Sequence, residues 1–104
     1  MVDKYLIYVA CGSAAASASL ARRRLIDELA KRKIKADVVI HRILELPGAV
    51  ASRKPHAVVV TAGQAPASLP EEIVIVQGIP LMTGFGIEAL VDDMLKRLAE
   101  VNEG

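Results

Sequence analysis

Cysteine and aromatic residues are almost missing from this sequence. Its 104 residues include one cysteine, two tyrosines, one phenylalanine and no tryptophan. A single cysteine cannot form an internal disulfide or a cysteine-rich zinc site, which excludes a small domain held together by either. The two histidines, His41 and His56, are too far apart in sequence to form a spaced ligand pair, so we predict no metal site. So few aromatics also provide no platform on which nucleic-acid bases could stack.

The sequence also has no marked excess of charge and no long hydrophobic run. Thirteen basic and twelve acidic residues leave a formal charge of +1. Binding to phosphate backbones needs an excess of basic surface, so we expect no nucleic-acid partner. The sequence contains no run of about 18 apolar residues, which is the length needed to span a membrane. The apolar stretch from Tyr5 to Ala10 is short and leads into a Gly-Ser turn, which predicts a strand rather than a signal peptide. We therefore expect one soluble, cytoplasmic domain over residues 1–104.

Four short apolar segments alternate with amphipathic or irregular segments. The predicted strands are Lys4–Ala10, Ala36–His41, Ala57–Thr61 and Ile73–Gln77, and the predicted helices are Ser17–Lys33 and Ile87–Val101. The intervening segments are Ile43–Arg53, weakly helical and interrupted by Pro47-Gly48, a loop over Gln64–Glu72, and a turn over Gly78–Gly86. Strands that are apolar throughout and alternate with helices predict a parallel sheet covered on both faces. The expected fold is α/β, a three-layer αβα sandwich with a four-stranded parallel sheet of the Rossmann-like or flavodoxin-like type.

The helical segments show the apolar stripe that such a fold buries. Apolar residues recur at helical spacing in both. We expect these to be Ala18, Ala21, Leu25 and Leu29 in the first helix and Ile87, Leu90, Val91, Met94 and Leu98 in the last.

Cys11 is the most informative single residue, because it follows the first predicted strand and opens a turn into the first helix. Ligands in such folds bind beyond the carboxyl ends of the strands. Loop N–H groups and the positive end of the following helix favour negative charge there, and hence a nucleophilic thiolate and a phosphoryl group carried on sulfur. Small side chains would let the backbone approach phosphate oxygens, and serines could add hydroxyl donors. The predicted phosphate-binding loop is Gly12, Ser13, Ala14, Ala15, Ala16 and Ser17.

Other interpretations of this turn remain open. Cys11 could be a small buried core residue, which is common for free cysteine. The turn is not a Walker A loop, because the Gly-Lys-Ser/Thr ending is missing. A low-molecular-weight phosphatase-like enzyme would need an arginine at position 17, where this chain has Ser17. A thiol–disulfide reductase would need a resolving cysteine. A non-catalytic regulatory or interaction domain of the same fold is a further alternative.

Two segments carry a resemblance to a known family. Val9 to Ser19 (VACGSAAASAS) resembles the phosphocysteine loop of the IIB components of the bacterial sugar phosphotransferase system, and Val76 to Leu90 (VQGIPLMTGFGIEAL) resembles the C-terminal region of their galactitol-type branch. The similarity is collinear over nearly the whole chain, including Arg42 and Thr61-Ala62. Ala18 departs from the pattern, because the family commonly has Ser or Thr there.

This resemblance implies a protein-phosphocysteine–sugar phosphotransferase. A phosphohistidine on a IIA protein would donate its phosphoryl group to Cys11. Cys11 would pass it to a sugar or polyol held by the membrane IIC permease, which would bring the domain to the membrane surface. No metal or other cofactor is required in that scheme.

Four further residues have candidate functional roles. Arg42 follows the second strand and could reach the phosphate edge. Thr83, Gly84 and Phe85 precede the final helix, where an exposed Phe85 could anchor a partner. We expect His41 and His56 to be surface or packed residues, and the run Arg22–Arg24 to be mainly a solvated helix face.

Overall fold

The computed structural model describes residues 4–11, 15–61 and 69–103. The strands are β1 (Tyr5–Cys11), β2 (Ala36–Arg42), β3 (Ala57–Val60) and β4 (Val74–Gln77). The helices are α1 (Ala15–Lys31), α2 (Leu46–Ser52), α3 (Ile79–Thr83) and α4 (Ile87–Glu103), with a single 3-10 turn over Ile43–Glu45 before α2. The four strands form one parallel sheet in the order β2-β1-β3-β4.

Side chains that alternate along the strands build two hydrophobic cores, one on each face of the sheet. On one face, Ile7, Val9 and their neighbours on other strands pack against the stripes of α1 and α4. On the other face, Leu6, Tyr8 and Ala10 pack against Leu46 and Val50 of α2. The predicted three-layer αβα architecture and both predicted helical stripes are therefore confirmed. None of the helices in the described ranges is long and apolar enough to cross a bilayer.

The first helix begins and ends two residues earlier than the sequence predicts. It covers Ala15–Lys31 instead of 17–33. Lys33 adopts a left-handed conformation with φ of 60°. The Lys33 N–H donates to the Ala30 carbonyl and the Ile34 N–H donates to the Leu29 carbonyl, each at 3.0 Å. This pair of bonds is a Schellman motif, in which a left-handed residue ends the helix and satisfies its last carbonyls.

Helix α2 lies within the Ile43–Arg53 segment, which was predicted to be weakly helical, whereas α3 replaces part of the turn predicted over Gly78–Gly86. Pro47 lies in the first turn of α2, and Pro80 lies in the first turn of α3. Proline is tolerated there because its missing N–H would have no partner within the helix. The prolines therefore mark where these helices start. The predicted interruption at Pro47-Gly48 was wrong, because α2 runs through both residues. Strand boundaries otherwise agree with the predicted ones to within one residue.

An arginine from a covering helix bonds to each outer strand of the described sheet. Arg22 of α1 donates from Nε to the Val38 carbonyl of β2 at 2.7 Å. Arg97 of α4 donates to the Ile75 carbonyl of β4 at 2.9 Å. Exposed strand edges leave backbone groups unpaired, so each arginine satisfies one such carbonyl. This finding corrects the prediction for Arg22, which is more than part of a solvated helix face.

Candidate functional site

The candidate site lies at the carboxyl edge of the sheet, beside its topological switch point. From β1 the chain crosses to β2 on one side, then returns to β3 on the other side of β1. In open α/β sheets, ligands bind outside the carboxyl ends of the strands where the order reverses in this way. Cys11 ends β1, Arg42 ends β2 and Thr61 follows β3. The fold therefore gathers three of the residues noted in the sequence at one edge.

Cys11 is the last residue of β1 and not the first residue of a loop. It is a free cysteine and is 6% exposed. By strand alternation it shares the face of Ile7 and Val9, which is the face that α1 covers. Neither hydrophobic core, as far as the described residues define them, includes Cys11. Its thiol thus sits at the end of the sheet, with little surface open to an incoming group.

Arg42 is the register partner of Cys11 on the neighbouring strand. Register partners on adjacent parallel strands lie about 5 Å apart and place their side chains on the same face. Arg42 is exposed, and its backbone N–H donates to Glu45 Oε1 at 2.8 Å. The structure therefore puts a cationic side chain and the cysteine next to each other on the α1 face.

Thr61 is fixed against β1 by two hydrogen bonds. Its N–H and its Oγ1 both donate to the Ala10 carbonyl, at 2.9 and 3.1 Å. Gly78 packs directly against this residue, because a Cβ on Gly78 would lie 2.7 Å from Val59 Cγ1 and 3.2 Å from Thr61 Cγ2. The chain leaving β4 can approach β3 so closely only as glycine. Thr61 was noted in the sequence only as part of the family resemblance, and its close packing with Gly78 was not predicted.

The predicted phosphate-binding loop is only partly described. Gly12, Ser13 and Ala14 lie outside the described residues. Ala15, Ala16 and Ser17 form the first turn of α1, so this part of the predicted loop is helical. Helix N-terminal N–H groups lack partners within the helix, and the helix that starts four residues after Cys11 supplies such groups at this edge.

Ala18 is fully buried on the core-facing stripe of α1. The departure noted in the sequence thus falls on a packing position.

The turn of Thr83, Gly84 and Phe85 is held by α1 through Arg24. Arg24 donates from one guanidinium nitrogen to the carbonyls of Leu81 and Met82, at 2.8 and 3.0 Å. Gly84 takes the left-handed conformation that ends α3, with φ of 86°. Phe85 is 83% exposed. Among the described residues, no hydrogen bond joins this turn to Cys11. Arg24 holds the end of α3, so the solvated role expected for it was wrong.

The two histidines have packing roles. His56 Nδ1 accepts a hydrogen bond from the Leu6 N–H at 2.9 Å, at the amino edge of the sheet and far along β1 from Cys11. His41 packs edge-on against the Tyr8 ring, with the centroids 4.6 Å apart. Within the described ranges, no three His, Cys, Asp or Glu side chains gather in a group that could hold a metal ion.

No family model matches the chain, and no curated protein matches it significantly.

Proposed function

We propose that this chain is a phosphocarrier of a sugar phosphotransferase system, of the galactitol-type IIB kind. The observation that carries the proposal is the position of Cys11. It ends a central strand at the switch point of the sheet, and α1 begins at Ala15, four residues further on. A phosphoryl group on this sulfur would be a dianion beside a helix N-terminus, which is an established arrangement for binding phosphate.

The chemistry consists of two balanced transfers. In the first, the Cys11 thiolate attacks the phosphorus of a phosphohistidine on a IIA protein, the P–N bond breaks and a P–S bond forms. In the second, a hydroxyl oxygen of a sugar or polyol held by the IIC permease attacks the same phosphorus, and the thiolate leaves. The hydroxyl proton passes to a base that the acceptor complex supplies. The chain then acts in the cytoplasm at the membrane surface, where the permease lies.

Arg42 supports this proposal as a second positive group beside the sulfur. A guanidinium can donate two parallel hydrogen bonds to phosphate oxygens. Because Arg42 is exposed and shares the face of its register partner Cys11, it is available to a phosphoryl group on the sulfur. Its proposed role is to stabilise charge during transfer and not to attack phosphorus.

The burial of Cys11 favours a second candidate, a non-catalytic regulatory domain of the same fold. Free cysteines are often inert core residues, and this one is 6% exposed. The phosphatase-like alternative lacks a comparable observation, since Ser17 occupies the position where those enzymes place their phosphate-clamping arginine.

Phosphorylation by a IIA partner separates the two candidates. The chain is incubated with phosphorylated galactitol-type IIA protein, and intact-mass spectrometry follows the addition of one phosphoryl group. We expect stoichiometric labelling of the natural chain and no labelling of the Cys11→Ser variant, whose side chain has nearly the same size. Circular dichroism should show that this variant keeps the natural fold. Ser52→Ala, an exposed change at the end of α2, serves as the matched control and should be labelled like the natural chain.

The opposite result also has a clear form. Because the chain has one cysteine, its reaction with a thiol reagent such as 5,5′-dithiobis(2-nitrobenzoate) reports Cys11 alone. A thiol that reacts only after unfolding, together with no phosphoryl transfer from IIA, would rule out the carrier and leave the non-catalytic domain.

A further inference from the structure

A groove lies at the amino edge of the sheet, opposite the edge that carries Cys11. Its volume is about 320 Å³, within the usual range for small-molecule sites. Its lining, which we call the amino-edge groove, consists of Lys4, Ile26, Leu29, Ala30, Ile34, Lys35 and Ala36.

Backbone hydrogen bonds fix both walls of the amino-edge groove. On the α1 side, the Ile34 N–H donates to the Leu29 carbonyl at 3.0 Å, which places two apolar lining residues against each other. On the strand side, the Tyr5 N–H donates to the Lys35 carbonyl at 3.0 Å and holds Lys4 and Lys35 at neighbouring strand starts. The shape therefore exists before any ligand binds, which lowers the entropy cost of binding.

The charged lining residues of the amino-edge groove are both basic. Within residues 4–11, 15–61 and 69–103 they are Lys4 and Lys35, and no carboxylate of these ranges lines the groove. Lys31 and Lys33 are exposed on the adjoining end of α1.

Two of the nearby acids are paired with arginines. Glu28 accepts from Arg32 Nε at 2.9 Å, and Asp37 pairs with Arg53 at 3.6 Å. The carbonyls of Leu29 and Ala30 already accept the Schellman hydrogen bonds, so the negative end of α1 is partly satisfied. The field around the groove consequently favours an anion.

We propose that the amino-edge groove binds a medium-chain aliphatic carboxylate, as a free molecule in solution. The aliphatic chain would lie on the floor formed by Ile26, Leu29 and Ile34, and the carboxylate would pair with Lys4 and Lys35. A sugar or sugar phosphate fits less well, because an apolar floor offers its hydroxyls no partners. This inference is independent of the phosphocarrier proposal, since no residue is shared between the two sites.

Titration with octanoate tests the proposal on the full chain. Two-dimensional ¹H–¹⁵N spectra should show saturable shifts of the groove amides, with a Kd of about 0.1–1 mM for a ligand of this size. The double variant Lys4→Gln/Lys35→Gln should raise this Kd roughly five- to tenfold, because two exposed ion pairs are lost. The matched control Lys54→Gln/Lys96→Gln removes the same charge at exposed positions outside the groove and should leave the Kd unchanged.

Two further arms separate the chemistry from simpler explanations. 1-Octanol, which has the same chain without the charge, should bind at least about fivefold more weakly. Equal binding of octanol, shifts that do not saturate, or an unchanged Kd in the Lys4/Lys35 variant would each overturn the proposal. Phosphatidylglycerol vesicles that perturb these amides while octanoate does not would show a membrane contact, and the proposal would be wrong.

Discussion

Under the phosphocarrier proposal, Arg42 is important because of its position beside Cys11. It stands next to Cys11 across one strand pair, on the same face and exposed. A phosphoryl group in transfer spreads negative charge over its oxygens, and a bidentate guanidinium stabilises that charge more effectively than an ammonium does.

If the phosphocarrier proposal holds, Arg42→Ala should slow phosphorylation of Cys11 by IIA about 10- to 100-fold. Arg42→Lys should give an intermediate rate, because it keeps the charge and loses the bidentate geometry. The measurement is the single-turnover rate by quenched-flow mass spectrometry. Arg23→Ala removes an exposed arginine from the outer part of α1 and should keep the natural rate. Equal slowing in both variants would mean that net charge, and not position, is responsible.

The end of α1 shows how one residue's backbone shapes an element. Lys33 occupies the left-handed position of the Schellman motif with φ of 60°. Glycine is the usual residue there, since a Cβ in this conformation is strained.

Lys33→Gly should therefore raise the free energy of unfolding by about 0.5–1 kcal/mol. The same chemical change in the middle of α4, Lys96→Gly, should lower it by about 1 kcal/mol, because φ is helical there and glycine loses more entropy on folding. Urea denaturation of both variants gives the comparison. A loss of stability in Lys33→Gly would show that the lysine side chain contributes more than its strain costs.

The strands and the two long helices were predictable from the sequence, and the two short helices were predictable only in part. Apolar periodicity identified four strands and two long helices, because burial of whole faces leaves a repeated signal. The end of α1 was misplaced since Lys33 has no side-chain feature that announces a left-handed backbone. Helix α2 was predicted only as a weak, interrupted helix and α3 as a turn, because Pro47 and Pro80 were interpreted as breaks, although proline also suits a first helical turn.

The candidate site was predictable as a place but not as an environment. Strand order and the carboxyl-edge rule bring Cys11 and Arg42 together once four parallel strands are expected. Three features depend on packing between strands that are distant in sequence. They are the burial of Cys11, the two hydrogen bonds from Thr61 to the Ala10 carbonyl and the close approach of Gly78 to β3. A single sequence carries no local signal for such contacts.

Over the whole molecule, positive and negative charges are nearly balanced, and several are used in pairs. Arg32, the first residue after α1, bonds to Glu28 of α1 and to Asp92 of α4, and thereby links the two long helices. Lys54 pairs with Glu72, which joins the segments that enter β3 and β4. The pKa of Glu72 is lowered below its usual value of 4.5. The largest cause is the hydrogen bond from Lys54, and a backbone hydrogen bond is the next largest.

This lowered pKa predicts a pH dependence with a definite sign. The ionised Glu72 stabilises the folded state at pH values above its unfolded pKa, and this contribution is lost as the pH falls through the lower folded pKa. Lys54→Gln should raise the NMR titration midpoint of the Glu72 side chain toward its usual value. Lys96→Gln should leave the midpoint where it is, and added salt should reduce the difference between the variants. A midpoint that is the same with and without Lys54 would exclude the pair as the cause.

The two helix arginines that bond to the outer strands, Arg22 and Arg97, restrict how this protein can be recognised. A peptide that extended the sheet by one strand would need the Val38 or Ile75 carbonyl, and each is already bonded to a guanidinium from α1 or α4. Such a peptide, or a second copy aligned side by side, would first have to displace that cation and part of a packed helix. Partners are thus directed to the helices and to the two ends of the strands, which is where both proposed sites lie.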